Sequence, residues 1–203
     1  GKEIMAEALK VLDAVKEKFH HNFVYTHFLA GGDAWDAFGV HLPKSTIEGC
    51  RPSDAILFGA VGGPVDSQEK KWQGIEKNVI LTLRKEFELF ANIRPIHSQS
   101  CDFLIVRELT SGIYFGEHRS KKQELRINNR RRNALIAEDV MRYTDFEIER
   151  LLRVAFTIAR TRKKSLVIID KANVLETSRL WRKVAEKVKK EYKDIDVSYM
   201  YVD

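Results

Sequence analysis

An α/β fold with a largely parallel sheet flanked by helices is predicted by three features of the chain. Nearly unbroken apolar runs alternate with amphipathic stretches, glycines stand where one such run ends, and a helix-capping signal opens a late periodic segment. Residues 2–19 set Ile4, Ala8, Val11, Leu12, Val15 and Phe19 at helical spacing with Lys and Glu between, which predicts a helix with one face on a core. Asn22 to Leu29 is aromatic and β-branched and reads as a strand closed by the Ala30-Gly-Gly-Asp33 turn; Leu42-Pro43 then leads into a short helix from Lys44. Ser53 to Val61 is predicted as a strand buried on both faces, and it runs into Gly62-Gly63-Pro64. Glycines at the carboxyl end of a parallel strand let a ligand approach the backbone. No Gly-x-Gly-x-x-Gly occurs, so an ordinary Rossmann dinucleotide site is not predicted.

Asn78 to Leu89 reads as a helix bearing Leu81, Leu83, Arg84 and Lys85, followed by an extended segment that carries Arg94 up to Pro95. Phe103 to Val106 reads as a core strand that delivers Arg107 at its exit and, beyond a Thr110-Ser111-Gly112 turn, Tyr114. A cation and a phenol aimed from a strand exit are suited to a small anion. Thr144-Asp-Phe-Glu147 is a capping box ahead of a helix reaching Arg160, and Ser165 to Ile169 is a buried strand ending in Asp170-Lys171-Ala172-Asn173. Lys171 therefore leaves a strand end as Arg107 does. A helix through Arg179 to Glu191 and a strand from Val197 to Val202 lead to Asp203. The pattern changes near Pro95, which predicts two subdomains, 1–95 and 96–203.

The 203 residues, 44% hydrophobic and 32% charged, suit a soluble globular protein with a sizeable core. Cys50 and Cys101 form neither a metal spacing nor a disulfide framework, which predicts reduced thiols and a cytoplasmic location. Neither a signal peptide nor a membrane-spanning segment is predicted. The net charge of +6 is concentrated in residues 117–132, which hold seven Lys/Arg against two Glu. Phosphate neutralisation by this cluster is the nucleic-acid reading, but it carries no aromatic for base stacking and no recognition motif; a solvated loop or protruding arm is predicted instead, and no nucleic-acid partner.

Four stretches in order, Leu83-Arg-Lys-Glu-Phe-Glu-Leu-Phe-Ala-Asn-Ile-Arg-Pro95, Val106-Arg-Glu-Leu-Thr-Ser-Gly-Ile-Tyr-Phe-Gly116, Glu147-Ile-Glu-Arg150 and Asp170-Lys-Ala-Asn-Val-Leu-Glu176, resemble the 3-isopropylmalate dehydrogenase family. Ser178-Arg-Leu-Trp181 and Tyr201-Val-Asp203 extend the likeness over almost the whole chain. The resemblance implies the fold of the isocitrate/isopropylmalate β-decarboxylating dehydrogenases, with residues 1–95 in a cofactor-side domain and 96–203 in a dimerisation and substrate-side domain with an arm at 117–132. It also implies NAD-dependent oxidation and decarboxylation of (2R,3S)-3-isopropylmalate to 2-oxoisocaproate, in leucine biosynthesis, by a homodimer that needs Mg²⁺ or Mn²⁺.

Residue by residue, the resemblance assigns Arg84, Arg94 and Arg107 to the substrate's carboxylates, a role suited to planar bidentate donors, and Ile80 and Leu81 to its isopropyl group. It assigns Lys171 to the substrate hydroxyl's proton, Tyr114 to protonation of the enolate, Asp203 to the divalent ion and Asn173 to the nicotinamide ribose. Lys171 and Asp203 would serve the partner subunit's site. On residues alone, Ile80 and Leu81 read equally well as the core face of their helix. The rival readings are a dehydrogenase for tartrate, malate or another 3-substituted malate, and a non-catalytic dimerising fragment. Gly1-Lys2-Glu3-Ile4-Met5 aligns with the family's Gly-Pro-Glu-Ile-Met, the connection 96–102 is shorter than the family's, and the family's Asp-x-x-x-Asp ligands and His-Gly-Ser-Ala-Pro-Asp loop would lie past Asp203. The chain is thus expected to be incomplete, and inactive as 203 literal residues.

Overall fold

The computed structural model describes residues 1–128 and 130–203. They form two compact units, Gly1–Glu88 and Leu89–Asp203. The first holds helices α1 (Lys2–Phe19), α2 (Gly32–Phe38) and α3 (Lys44–Cys50), a 3-10 turn Lys70–Trp72, a π-helical turn Lys77–Leu81 and α4 (Thr82–Glu86). Its core gathers Ile75, Val79 and Leu83 against Leu42, Phe58, Val61 and Trp72. Helical spacing turns these three inward, and a buried His41 ties the surrounding loops. His41 Nε2 lies 2.7 Å from the Lys71 carbonyl and Nδ1 3.0 Å from the Asn78 amide, with the ring stacked on Trp35. A carbonyl only accepts, so Nε2 carries the proton and Nδ1 receives the amide's.

Three expectations fail in this unit. The predicted strands at 22–29 and 53–61 join no ladder, and Val24, Ile56 and Leu57 are exposed. An apolar run favours extension, but a strand also needs a neighbour for its N–H and C=O groups, and no described segment supplies one. Helix α1 buries no residue, and Ile4, Val11 and Phe19 stand exposed along it. Its periodicity sorts apolar from charged residues without providing a surface to cover them.

The second unit contains an antiparallel pair, β1 (Ala91–His97) with β2 (Asp102–Glu108), and an antiparallel hairpin, β3 (His118–Ile127) with β4 (Arg130–Asp139). Helix α5 (Asp145–Arg160), β5 (Ser165–Asp170), α6 (Glu176–Lys189) and β6 (Asp196–Tyr201) follow, with β6 parallel to β5. Among the described residues parallel pairing is confined to β5 and β6, not spread through a large sheet. The units divide ahead of Pro95 because Pro95 lies within β1, opposite Leu104. The expected core strand at 103–106 is instead half of a two-stranded ribbon with Phe103 and Ile105 exposed, and β5 likewise exposes Val167 and Ile169. With one neighbour each, these strands bury one face at most.

The basic segment forms β3 and the start of β4. Arg119 pairs with Glu138 at 2.6 Å and His118 with Asp139 at 2.6 Å, whereas Arg126 faces Arg131 across the ladder.

Helix α5 organises the second unit. Thr144 Oγ1 accepts from the Glu147 N–H at 3.2 Å while Glu147 Oε2 accepts from the Thr144 N–H at 2.7 Å, a reciprocal capping box. Ile148, Leu152, Phe156 and Ala159 then bury one face against Ile168 of β5 and Val184, Ala185 and Val188 of α6. Phe156, fully buried, also stacks on Tyr192 at 4.7 Å. Thr144→Ala should cost about 0.5–2 kcal/mol and Phe156→Ala about 3–5 kcal/mol by urea denaturation. Equal losses would mean that the cap holds α5 as strongly as the packed face does.

Candidate functional site

Antiparallel register decides which candidate side chains share a surface. Asn92 pairs with Arg107 and Arg94 with Ile105, so Arg94 and Arg107 lie on one face of the β1–β2 ribbon. The other face turns Leu104, Val106 and Glu108 inward, and Glu108 is buried. Arg94 is held along its own strand by a 2.6 Å bond from Nε to Asn92 Oδ1. The Arg107 guanidinium lies 5.3 Å from the ring centroid of Tyr114, a cation–π contact that orients a phenol 53% exposed. Between them the chain reverses at Gly112, with φ +81°, where a Cβ would run into Tyr143.

A second group forms past β5. Lys171 Nζ donates to Asp203 Oδ1, and Lys171 also lies 6.0 Å from the Tyr201 ring. The ammonium holds the Asp203 carboxyl below its ordinary range. The turn that carries Lys171 is pinned at both ends. Its N–H donates to Ser178 Oγ at 3.1 Å, and its carbonyl accepts from Val174 and Leu175. Asn173 lies exposed in this turn.

One device supports both groups. In each group one candidate cation adjoins a buried acid at a strand end, Arg107 beside Glu108 and Lys171 beside Asp170. Each acid accepts the N–H two residues on: Thr110 to Glu108 at 2.6 Å and Ala172 to Asp170 at 2.8 Å. Each is also bonded by an arginine of the following helix, Arg150 of α5 to Glu108 at 3.4 Å and Arg182 of α6 to Asp170 at 2.6 and 3.1 Å. Sequence reasoning gave none of the four supporting residues a role, although Glu108, Arg150 and Asp170 stand inside the quoted motifs. The legible signal was period two: in β2 an acid occupies the inward register of Leu104 and Val106.

In the first unit, the π-helical turn holds Ile80 and Leu81, and Thr82 Oγ1 closes it on the Lys77 carbonyl at 3.1 Å. Val79 and Leu83 fill the core there, and Ile80, Leu81 and Arg84 are half-buried outside the buried cluster. Ile80 and Arg84 stand one helical turn apart. A widened turn of this kind often marks a functional segment.

The whole chain, residues 1–203, matches the family model described as isocitrate/isopropylmalate dehydrogenase. The chain belongs to that family. It is 47% identical over 219 residues to a 3-isopropylmalate dehydrogenase of Helicobacter hepaticus, with all of this chain and 59% of that protein covered. It is 46% identical over 225 residues to one of Syntrophotalea carbinolica, again with all of this chain and 58% of that protein covered. Among solved structures it resembles an isocitrate dehydrogenase from Methylococcus capsulatus, with TM-score 0.77, 28% identity and 100% and 57% of the two chains covered. A β-decarboxylating dehydrogenase from Thermococcus kodakarensis gives TM-score 0.70 and 31% identity, with 100% and 55% covered. The chain thus spans under three fifths of these relatives.

Asp203 offers an oxygen of the kind a hard divalent ion takes, but no group of three or more His, Cys, Asp or Glu among the described residues could hold a metal ion. The residues present fit one ligand and not a complete site. Among the described residues no helix is long and apolar enough to cross a membrane.

Asp203 should titrate below an ordinary aspartate by carboxyl NMR, and Lys171→Met should raise its midpoint. Because its folded pKa is depressed, the pair adds stability above the unfolded pKa and loses it as pH falls through the folded value. An Asp203 midpoint unmoved by Lys171→Met would remove the ion pair from the site.

Proposed function

We propose that this chain forms part of an NAD-dependent dehydrogenase that converts (2R,3S)-3-isopropylmalate to 2-oxoisocaproate and carbon dioxide, with residues 1–95 in its cofactor-side domain and 96–203 in its substrate-side domain. In this reading it acts as a cytoplasmic homodimer in leucine biosynthesis, with residues of the second unit also serving dimerisation. The observation that carries the reading is the pairing of Arg107 with Tyr114 on the ribbon face that bears Arg94. That face combines guanidinium groups for a carboxylate with a phenol able to deliver a proton. The 3-isopropylmalate dehydrogenases at 46–47% identity support this choice of substrate.

The substrate's charges are taken up by Arg84, Arg94 and Arg107, whose planar donors fix carboxylates in two directions. Its isopropyl group rests on Ile80 and Leu81; polar side chains there would favour a more polar malate derivative. Lys171, in the partner's site and as the free amine, receives the proton of the 2-hydroxyl as that carbon is oxidised. Loss of the β-carboxylate leaves an enolate, and the Tyr114 O–H returns a proton to its carbon. When bound, NAD supplies the hydride acceptor and Mg²⁺ or Mn²⁺ a Lewis acid beside the hydroxyl. Asn173 would meet the nicotinamide ribose, and Asp203 would give the ion one of its ligands.

The full-length protein should form NADH from isopropylmalate in the presence of Mn²⁺. Tyr114→Phe should lower kcat by roughly 10²–10⁴-fold while substrate binding persists. Replacing Ile80 and Leu81 by Ser should lower kcat/KM for isopropylmalate against malate by roughly 10–200-fold. Faster turnover of isocitrate, tartrate or malate by the unmodified protein would assign it to another branch.

A further inference from the structure

We propose that Glu108 and Arg150 are positioning residues, a clamp that sets the Tyr114 phenol against Arg107 by holding the turn between them. This deepens the reading above and rests on it for the role of the phenol.

Glu108 closes β2 on the face opposite Arg107, with its side chain 1% exposed. Among the described residues its carboxylate is hydrogen-bonded through one oxygen. Oε1 accepts from the Thr110 N–H at 2.6 Å, the Thr110 hydroxyl at 2.7 Å and Arg150 Nη2 at 3.4 Å. Arg150 Nη2 also donates to Thr110 Oγ1 at 2.6 Å, so the hydroxyl is gripped as donor and acceptor. The guanidinium is itself fixed, 4.5 Å from the Phe90 ring centroid and 5.6 Å from that of Phe146.

The cluster is poorly arranged for stability alone. Glu108 Oε2, Arg150 Nε and Ser111 Oγ are buried without a hydrogen-bond partner among the described residues. An apolar set of the same volume would avoid that desolvation cost. What the charged set supplies is direction, since three bonds converge on the first residue of the turn. Farther on, the Gly112 N–H donates to the Arg142 carbonyl at 2.9 Å, which fixes the reversal ahead of Tyr114.

The two members of the functional pair depend on the clamp unequally. Arg107 lies inside the β1–β2 ladder, opposite Asn92, and keeps its backbone bonds whatever happens to Glu108. Tyr114 lies beyond the ladder, and its route back to Arg107 passes through the clamped turn. Loosening the clamp therefore displaces the proton donor and leaves the carboxylate-binding guanidinium in place.

In the full-length protein, Glu108→Gln should lower kcat by roughly 10- to 100-fold, with KM for isopropylmalate changed by no more than about two-fold. Amide hydrogen exchange should accelerate in residues 110–116 and not in β1 or β2. Thr110→Val, milder and less disruptive to folding, should act in the same direction, and Thr110→Ser, which keeps the hydroxyl, should recover most of the loss. A rise in KM matching the fall in kcat, or unchanged exchange in 110–116 in both Glu108→Gln and Thr110→Val, would overturn the clamp. Absence of isopropylmalate turnover in the unmodified protein would instead overturn the substrate assignment, and the exchange measurement would still decide whether the turn is clamped.

Discussion

The second unit depends on sealing one face of α5. Ile148, Leu152, Phe156 and Ala159 must leave water together, and β5 and α6 provide the surface that lets them do so. Once that face is fixed, so is the rest of the helix. Arg150, two residues along from Ile148, is carried to the end of β2, and the β5–α6 connection is drawn tight enough to hold Lys171 at a strand exit. Apolar burial supplies the driving force, and the polar site takes its geometry from it.

On that frame the chain uses one solution twice. A cation meant for a ligand must stay accessible, and an accessible side chain is mobile unless its backbone is held. Glu108 and Asp170 hold the backbone from the inside, each bonded to the N–H two residues on and to an arginine of the next helix. Burying a carboxylate is costly unless it is paired, so these acids tie strand, turn and helix into one arrangement. Burial and the charge of Glu108 also push the Tyr143 phenol up.

The first unit shows the opposite case. Val79 and Leu83 found their core, but α1 and the extended segments at 22–29 and 53–61 leave apolar side chains exposed. Their composition is that of buried elements, yet among the described residues Phe58 and Val61 pack on the core while Ile4, Val11, Val24, Ile56 and Leu57 stay exposed. The chain spans under three fifths of the relatives it matches.

What the sequence by itself determined was local. The capping box at Thr144 and Glu147, the periodicity of α5 and α6, and the apolar content of β5 and β6 depend on neighbours within a few residues, and each element formed close to where the pattern put it. Arg84, Arg94, Arg107, Tyr114 and Lys171 were legible as motif residues for the same reason, since a motif is a local string. The tertiary structure alone decided that β2 pairs antiparallel with β1, that Arg94 and Arg107 share a face, that Lys171 meets Asp203, and that Glu108 turns inward to Arg150. These depend on pairing, register and burial between distant parts of the chain, and a backbone hydrogen bond or buried charge has no partner until the fold brings one to it.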